Sequence, residues 1–500
     1  MDNPNVHDRT PISTTPPGSP YLSGNALVCG DNLDILRELP DESVDLIYLD
    51  PPFNSNHDYV AAFGDKGKVD RQLRDIWRWT TETEARFQRL PVGKLRDAVE
   101  AVRLVSGKNS PMSAYALFMG LRLVEMHRVL KATGSIYLHC DYRADWLLRI
   151  LLDKIFGEKN LRNEIVWCYS GGGQPKNDFP RKHDIIFRYS KTGKYLFNRD
   201  DVRVPYDSDY QATVFTREDS RAPGKTYGPN KKGKVVEDWW RGIPRPYGEE
   251  IVGYPTQKPL ALLERIITAS SNEGDLVLDP FCGCGTAADA AAMLGRKYLG
   301  IDVSAIAVRV MQQRLESRGG DAFPSVYRMG WEDYEWEAFE RRAQLHESDS
   351  EDGQPGWAWA EDKVAGLLNA VPNDRKIGDG GVDARYYTAD DEVIPIQVKM
   401  YKGQVGRPEL DKLLGVQASW NNQNINSPMS VMVTLYPPRE RLRVFAAEQG
   451  KVRLRGEEYP RLQVLSVQEM LSKSVRPKLP PVDPRYFVGD TQTRLAITGG

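Results

Sequence analysis

Leu276-Val277-Leu278-Asp279-Pro280-Phe281-Cys282-Gly283-Cys284-Gly285-Thr286 is the stretch of this 500-residue sequence that decides the fold. Three apolar residues of strand type run into a carboxylate and a turn with two glycines. Ala287 to Leu294 then reads as a helix and Tyr298 to Ile301 as a second strand, while Pro259 to Ser270 reads as a helix that precedes the unit. This is a βαβ pattern, in which small residues let backbone amides approach a ligand at the carboxyl edge of a sheet. Asp302 ends the second strand, about 20 positions beyond the first glycine, where an acid suits two ribose hydroxyls. The turn begins on Asp279, and no lysine follows at the spacing of a phosphate loop, so a nucleoside ligand without phosphate is favoured. Cys282 and Cys284 read as small fillers of the turn, not as metal ligands.

Upstream, Leu27-Val28-Cys29 and Val44 to Leu49 read as strands, with Leu33 to Leu39 helical between them. Arg71 to Leu130 has helical character, Gly134 to His139 looks like a buried strand, and Trp146 to Phe156 an apolar-faced helix. Asp50-Pro51-Pro52-Phe53 follows the second of these strands. An exocyclic amine on a nucleic-acid base is a poor nucleophile because its lone pair is delocalised into the ring. Asp50 and the Pro51 carbonyl can accept its two N–H groups, and the prolines hold that carbonyl in place. Phe53 offers a stacking face for a base taken out of the duplex. Taken alone, the four residues are equally a rigid turn at a strand end.

The rest of the composition bounds the answer. At 500 residues two or more domains are expected, and no apolar run approaches the roughly 20 residues that cross a bilayer. Residues 1–20, rich in Pro, Ser and Asp, read as a disordered lead-in without the marks of a signal peptide. Five cysteines without CxxC pairs fit reduced thiols and a cytoplasmic protein. The net charge of -2 gives no global attraction to DNA, so any contact must come from local Lys and Arg clusters.

With the motifs in view, the chain resembles the β class of DNA amino-methyltransferases. The resemblance rests on Leu49-Asp50-Pro51-Pro52-Phe53-Asn54, then Gly253-Tyr254-Pro255-Thr256-Gln257-Lys258-Pro259, then the turn from Asp279 to Thr286. It implies an α/β, Rossmann-like sheet with permuted motif order over residues 21–335, S-adenosylmethionine as cofactor and double-stranded DNA as partner. It assigns Asp50, Pro51, Pro52 and Phe53 to catalysis. It assigns Asp31, Thr256, Lys258, Asp279, Pro280, Phe281, Gly283, Gly285, Thr286 and Asp302 to the cofactor. Asp at the first catalytic position goes mainly with adenine N6 in that class, and Ser with cytosine N4, so adenine is the expected base and cytosine the alternative. A homodimer is one assembly that the class adopts.

Residues 167–250 shift to Gly, Pro, aromatic and basic residues, little of it suited to regular structure, and read as the target-recognition region. Lys176, Arg181 and Lys182 are its first DNA-contact candidates, with Arg188, Arg203, Arg217, Arg221 and Lys225 beyond them. Trp239-Trp240 offers stacking, with core packing expected for at least one of the pair. An acidic linker is expected over 336–356, a second α/β domain over 357–475 and a tail over 476–500.

In that second domain Glu361 opens a helical run through Val371, then come Gly378-Asp379-Gly380-Gly381-Val382-Asp383 and a strand, Val393 to Met400, with Gln397-Val398-Lys399. This ordering is similar to the PD-(D/E)xK nuclease fold of Mrr-type restriction enzymes. The resemblance implies Mg²⁺ at Asp383, assistance from Glu361, and Lys399 stabilising charge in the transition state. Gln397 departs from the commoner acid and is a weaker ligand for a hard cation. Two alternatives therefore stand: a combined methylase and endonuclease, and a DNA-binding protein with a decayed nuclease.

Overall fold

The computed structural model describes residues 19–22, 24–53, 58–63, 68–74, 77–171, 175–206, 215–216, 226–227, 229–251, 256–316, 318, 324–328, 336–346, 355–372, 381–400, 405–473 and 475–481. Asn54, Gly253-Tyr254-Pro255, Arg217, Arg221, Lys225 and Gly378 to Gly380 lie outside the described residues, as do most of the lead-in and of the tail.

The chain opens with β1 (Ala26–Cys29) and α1 (Asn32–Glu38), and the Asp31 carboxylate caps α1 by accepting from the Leu33 N–H at 2.8 Å. β2 (Val44–Leu49) is followed by a hairpin of β3 (Asp58–Phe63) and β4 (Lys68–Arg74) and by three helices, α2 (Thr81–Arg89), α3 (Lys94–Ser106) and α4 (Pro111–Val129). Next come β5 (Leu130–Cys140), α5 (Asp145–Leu152), β6 (Leu161–Cys168) and β7 (His183–Ser190). Three two-residue strands follow: β8 (Phe215–Thr216), β9 (Thr226–Tyr227) and β10 (Trp239–Trp240). α6 (Leu260–Ser270), β11 (Leu276–Asp279), α7 (Thr286–Met293), β12 (Lys297–Asp302), α8 (Ala305–Glu316) and β13 (Ser325–Arg328) complete this part.

Nine of these strands form one sheet in the order β10-β6-β7-β5-β2-β11-β12-β1-β13. β7 runs antiparallel to both neighbours and the other pairings are parallel. Successive strand residues face opposite sides, so both faces must be apolar. Ile47, Leu49, Ile136, Leu138 and Leu278 pack under α3, α4 and α5, and Leu46, Tyr48, Tyr137 and Val277 under α6, α7 and α8. The chain leaves β2 toward β5 on one side and leaves β11 toward β12 on the other, so the strand order reverses between β2 and β11. A crevice opens at the carboxyl edge of such a switch point. Asp50 and Asp279 stand there on neighbouring strands.

The second part begins at α9 (Trp336–Ala343) and α10 (Gly356–Leu367), continues through β14 (Val371–Pro372), β15 (Ala384–Tyr387), β16 (Val393–Lys399), α11 (Arg407–Asn422), β17 (Ser430–Thr434) and α12 (Glu440–Glu448), and ends with β18 (Lys451–Leu454), β19 (Glu457–Pro460), β20 (Leu462–Ser466) and α13 (Val467–Ser472). Its sheet has the order β14-β15-β16-β17-β20, with β16, β17 and β20 parallel.

Four expectations need correction. Residues 71–74 belong to the β3–β4 hairpin, and helix begins only at Thr81. The region 167–250 contains the long strand β7, because Ile185, Phe187 and Tyr189 fill one face of the sheet while Ile186 fills the other. The linker expected from 336 starts as helix α9, since Phe339 and Ala343 bury in the second core with Val364 and Leu368. The tail expected from 476 is docked as far as 481: Tyr386 donates to the Pro480 carbonyl at 2.6 Å and Ala389 N–H to that of Pro481 at 3.0 Å.

α7 and α8 are joined by a fully buried carboxylate, Asp289, which accepts from Arg314 Nε at 2.7 Å and from Arg318 Nε at 2.8 Å. Asp289→Ala removes the buried carboxylate that Arg314 and Arg318 share and is expected to destabilise this part by about 3 kcal/mol. The check is the urea midpoint of its unfolding transition; an unchanged midpoint would mean that the pair contributes nothing net.

Candidate functional site

β1, β2, β11 and β12 are parallel, so Asp31 and Asp50 come together at one sheet edge with Asp279 and Asp302 from a distant part of the sequence. The turn between β11 and α7 is tight. Gly283 (φ 49°) and Gly285 (φ 77°) are left-handed, and a Cβ at 285 would lie 2.2 Å from Met311 Cγ, so glycine is required there. The Gly283 N–H donates to Asp302 Oδ2 at 2.9 Å and the Ser304 N–H to Oδ1 at 2.8 Å, which fixes the plane of that carboxylate. Cys282 and Cys284 are buried, Thr286 opens α7, and none of the five cysteines is bridged.

Asp279 is buried and accepts from the Phe281 N–H at 3.1 Å. Burial pushes its carboxyl well above the usual range, and repulsion from Asp50 and Asp302 adds to the shift. A buried acid of this kind fits a ligand that brings a positive charge.

Asp50 lies at the switch point with its Oδ2 accepting from the Lys258 ammonium, while its Oδ1 is buried without a hydrogen-bond partner. Lys258 Nζ also reaches the Thr256 carbonyl at 3.3 Å and lies 5.7 Å from the centre of the Phe53 ring. Thr256 itself is exposed, Pro51 is buried, and Pro52 and Phe53 are half-buried. The structure thus joins Lys258 to the Asp50 loop, whereas the sequence had grouped it with the cofactor residues.

Two networks escaped the sequence reading. In the first, Arg122 is buried on α4 with its guanidinium over the Phe118 ring; it donates to Asp31 Oδ1 at 2.8 Å and to Asn32 Oδ1 at 2.6 Å, and Asn32 donates to the Pro280 carbonyl at 2.6 Å. This clamp ties Asp31 to the turn between β11 and α7. An arginine set within the apolar run from Phe118 to Val124 is the signal that could have exposed it. In the second, His139 is fully buried; its Nε2 lies 3.1 Å from Asp184 Oδ2 and its Nδ1 3.1 Å from the Tyr48 hydroxyl. Burial opposes the charge on Asp184, yet the contact with His139, the charge of Lys258 and the Tyr169 hydroxyl hold its carboxyl below the usual range. An ionised Asp184 accepts from Nε2–H, and in the neutral imidazole that tautomer leaves Nδ1 to accept from the Tyr48 O–H. The His139 ring stacks on Phe53 at 6.3 Å and 28° between planes.

β6 is parallel to β5's direction and β7 opposes it, so the loop from Tyr169 to Lys182 emerges at the same edge. Lys176, Arg181 and Phe179 are exposed on it, Arg181 lies 4.4 Å from the centre of the Tyr142 ring, and Lys182 donates to the Gly171 carbonyl. Arg188, by contrast, is buried, and Arg203 is held by Asp200 at 2.7 Å. Trp240 is buried in the sheet and Trp239 half exposed.

In the second part, Asp383 precedes β15 and its Oδ2 accepts from the Val398 N–H at 2.7 Å, with Lys399 Nζ 3.7 Å away. Gln397 is nearly buried and its Oε1 lacks a hydrogen-bond partner. Glu361 lies on α10. Among the described residues no group of three or more His, Cys, Asp or Glu is placed to hold a metal, and no helix is long and apolar enough to cross a membrane.

Residues 365–454 match the Mrr restriction endonuclease catalytic family. The type II methyltransferase M.EcaI of Enterobacter cloacae is 31% identical over 358 residues, 59% of this chain and 70% of that protein. The DNA adenine methyltransferase YhdJ of Escherichia coli is 30% identical over 293 residues, 58% of this chain and 82% of that protein. The type II methyltransferase M1.MboII of Moraxella bovis is 34% identical over a shorter stretch of 186 residues. Residues 44–313, from the start of β2 into α8, match the N6/N4 DNA methylase family, and the chain is a member of that family with an Mrr-type restriction endonuclease domain at its C-terminal side.

Proposed function

We propose that the protein methylates adenine N6 in double-stranded DNA, within a restriction-modification context, on a base flipped into the crevice between β2 and β11. The observation that carries this reading is the buried, unpartnered Oδ1 of Asp50 at the switch point, an acceptor without a donor beside an aromatic ring. An Asp at the first position of the catalytic loop favours adenine over cytosine N4, as does the likeness to an enzyme named for adenine.

S-adenosylmethionine fits the residues present, and when bound it supplies a methyl group on a sulfonium whose bonding pair returns to sulfur on transfer. Asp302 would hold the ribose, the glycine turn would admit the nucleoside, and Asp279 would face the ammonium of the amino-acid end. Asp50 and the Pro51 carbonyl accept the two N–H groups of the target amine and draw its lone pair toward the incoming carbon. That pair forms the new N–C bond, and the surplus proton on nitrogen has Asp50 as its nearest acceptor. Phe53, backed by His139, stacks on the extruded base, which offsets part of the few kcal/mol that flipping costs. Lys176 and Arg181 on the overhanging loop contact phosphates, as would Lys182.

The direct test is incubation of unmethylated DNA with labelled S-adenosylmethionine, then digestion to nucleosides. Label in N6-methyladenine is expected; label in N4-methylcytosine would reverse the base. Asp50→Ala should lower kcat by on the order of 100-fold or more with cofactor affinity retained, since its carboxylate serves the amine. Lost cofactor binding in that variant would remove Asp50 from this role.

Asp279 gives a pH test. Its carboxyl is raised in the free site, so it stays protonated over a window that begins at about pH 4, the ordinary Asp value. A bound ammonium requires the ionised form, so binding releases a proton and affinity rises with pH through that window. Calorimetry in buffers of different ionisation heat should record the proton, and Asp279→Asn should abolish it. An affinity flat with pH would place the ammonium elsewhere.

For the second domain we propose Mg²⁺-dependent DNA cleavage, with Asp383 and the unpartnered Gln397 oxygen as ligands, Lys399 beside them, and Glu361 assisting from α10. Asp383→Ala should then remove Mg²⁺-dependent nicking and leave methylation intact. Cleavage that survives this change would lie at another site.

A further inference from the structure

The Lys258 ammonium stands where a target amine has to stand. It donates to Asp50 Oδ2 and lies over the Phe53 ring, so it occupies both features that the flipped base would use. Neither partner is at the surface: the side chains of Lys258 and Asp50 are 12% and 14% exposed. The remaining Asp50 oxygen, Oδ1, is buried and unpartnered, so the loop holds one filled acceptor beside one open acceptor. Among the described residues, the Thr256 carbonyl is the one other hydrogen-bond acceptor of Nζ beside Asp50.

We propose that Lys258 is a displaceable placeholder for the target amine: in the resting enzyme its ammonium fills the Asp50 acceptor, and the base enters by displacing it. This rests on the methyltransferase reading above. A carboxylate half-withdrawn from water is costly without a partner, and a lysine on a flexible stem supplies one that can leave. At rest the Lys258 charge also acts on the carboxyls of Asp184 and Asp279, lowering both against the effect of burial.

The exchange also has a catalytic sense. A neutral amine is a weaker donor to a carboxylate than an ammonium, so the base gains less from Asp50 in the ground state than Lys258 gave up. As the N–C bond forms, the nitrogen becomes positive and the charge pair at Asp50 is restored. Stabilisation therefore appears mainly in the transition state, where it raises kcat and not merely affinity.

The test uses the full-length chain and a duplex carrying the mapped methylation site, with 2-aminopurine beside the target base to report unstacking. Without cofactor, Lys258→Met should raise the fluorescence several-fold over the natural enzyme, because the competitor is gone, while Lys258→Arg should keep it low. The dissociation constant for S-adenosylmethionine should stay the same in Lys258→Met, with the thermal melt confirming the fold. Unchanged or lower fluorescence in Lys258→Met overturns the placeholder, and a weakened cofactor affinity in the same variant returns Lys258 to the cofactor site. A natural enzyme that binds DNA but never methylates it overturns the underlying reading instead, and the placeholder with it.

Discussion

Three carboxylates crowded onto adjacent strand ends are the constraint around which this molecule is arranged. Asp50, Asp279 and Asp302 follow from parallel pairing of β2, β11 and β12, and bringing like charges together at a half-buried edge is unfavourable by itself. Each acid is relieved by a different device. Asp302 takes two backbone N–H groups, Asp50 takes the Lys258 ammonium, and Asp279 is driven toward its protonated form. A cationic ligand and a nitrogen that turns cationic are what such an edge is prepared to receive. The affinity for charge is built before any substrate arrives, which is electrostatic preorganisation in its ordinary sense.

The strands that build this edge were legible because each is a short apolar run closed by an acid or a turn. Val44 to Leu49 and Leu276 to Leu278 are buried on both faces, and no polar residue interrupts the pattern beyond Asp45. Asp45 itself lies near the end of the strand opposite Asp50 and is held by Lys131 at 2.7 Å. Motif order, too, could be read directly, since Asp50 precedes the glycine turn in sequence while the sheet sets them side by side.

What stayed hidden shares one cause. β7 begins at His183, inside a stretch dominated by Gly, Pro and basic residues, and its alternation of apolar side chains shows only once both sheet faces are known to be covered. Arg122 and His139 are polar side chains in apolar surroundings, and their partners lie 90 and 45 residues away. Composition and local periodicity carry no information at such separations. Lys258 is the sharpest case: the resemblance assigned it to the cofactor, and its contact with Asp50 spans 208 residues.

The second domain handles the same problem differently. Asp383 is fixed by a backbone N–H from Val398 on the paired strand, and Lys399 stands 3.7 Å from it. Gln397 and Lys399 share one face of β16 because they are two residues apart, while Ile396 and Val398 pack into the core behind them. A neutral amide in place of an acid lowers the negative charge there, so the demand for a cation is weaker than an acidic pair would create. In the first domain the acids outnumber their resident cation and call for charge from outside. In the second, Lys399 already balances Asp383, and whatever a metal ion gains there must come largely from Asp383 and the buried Gln397 oxygen.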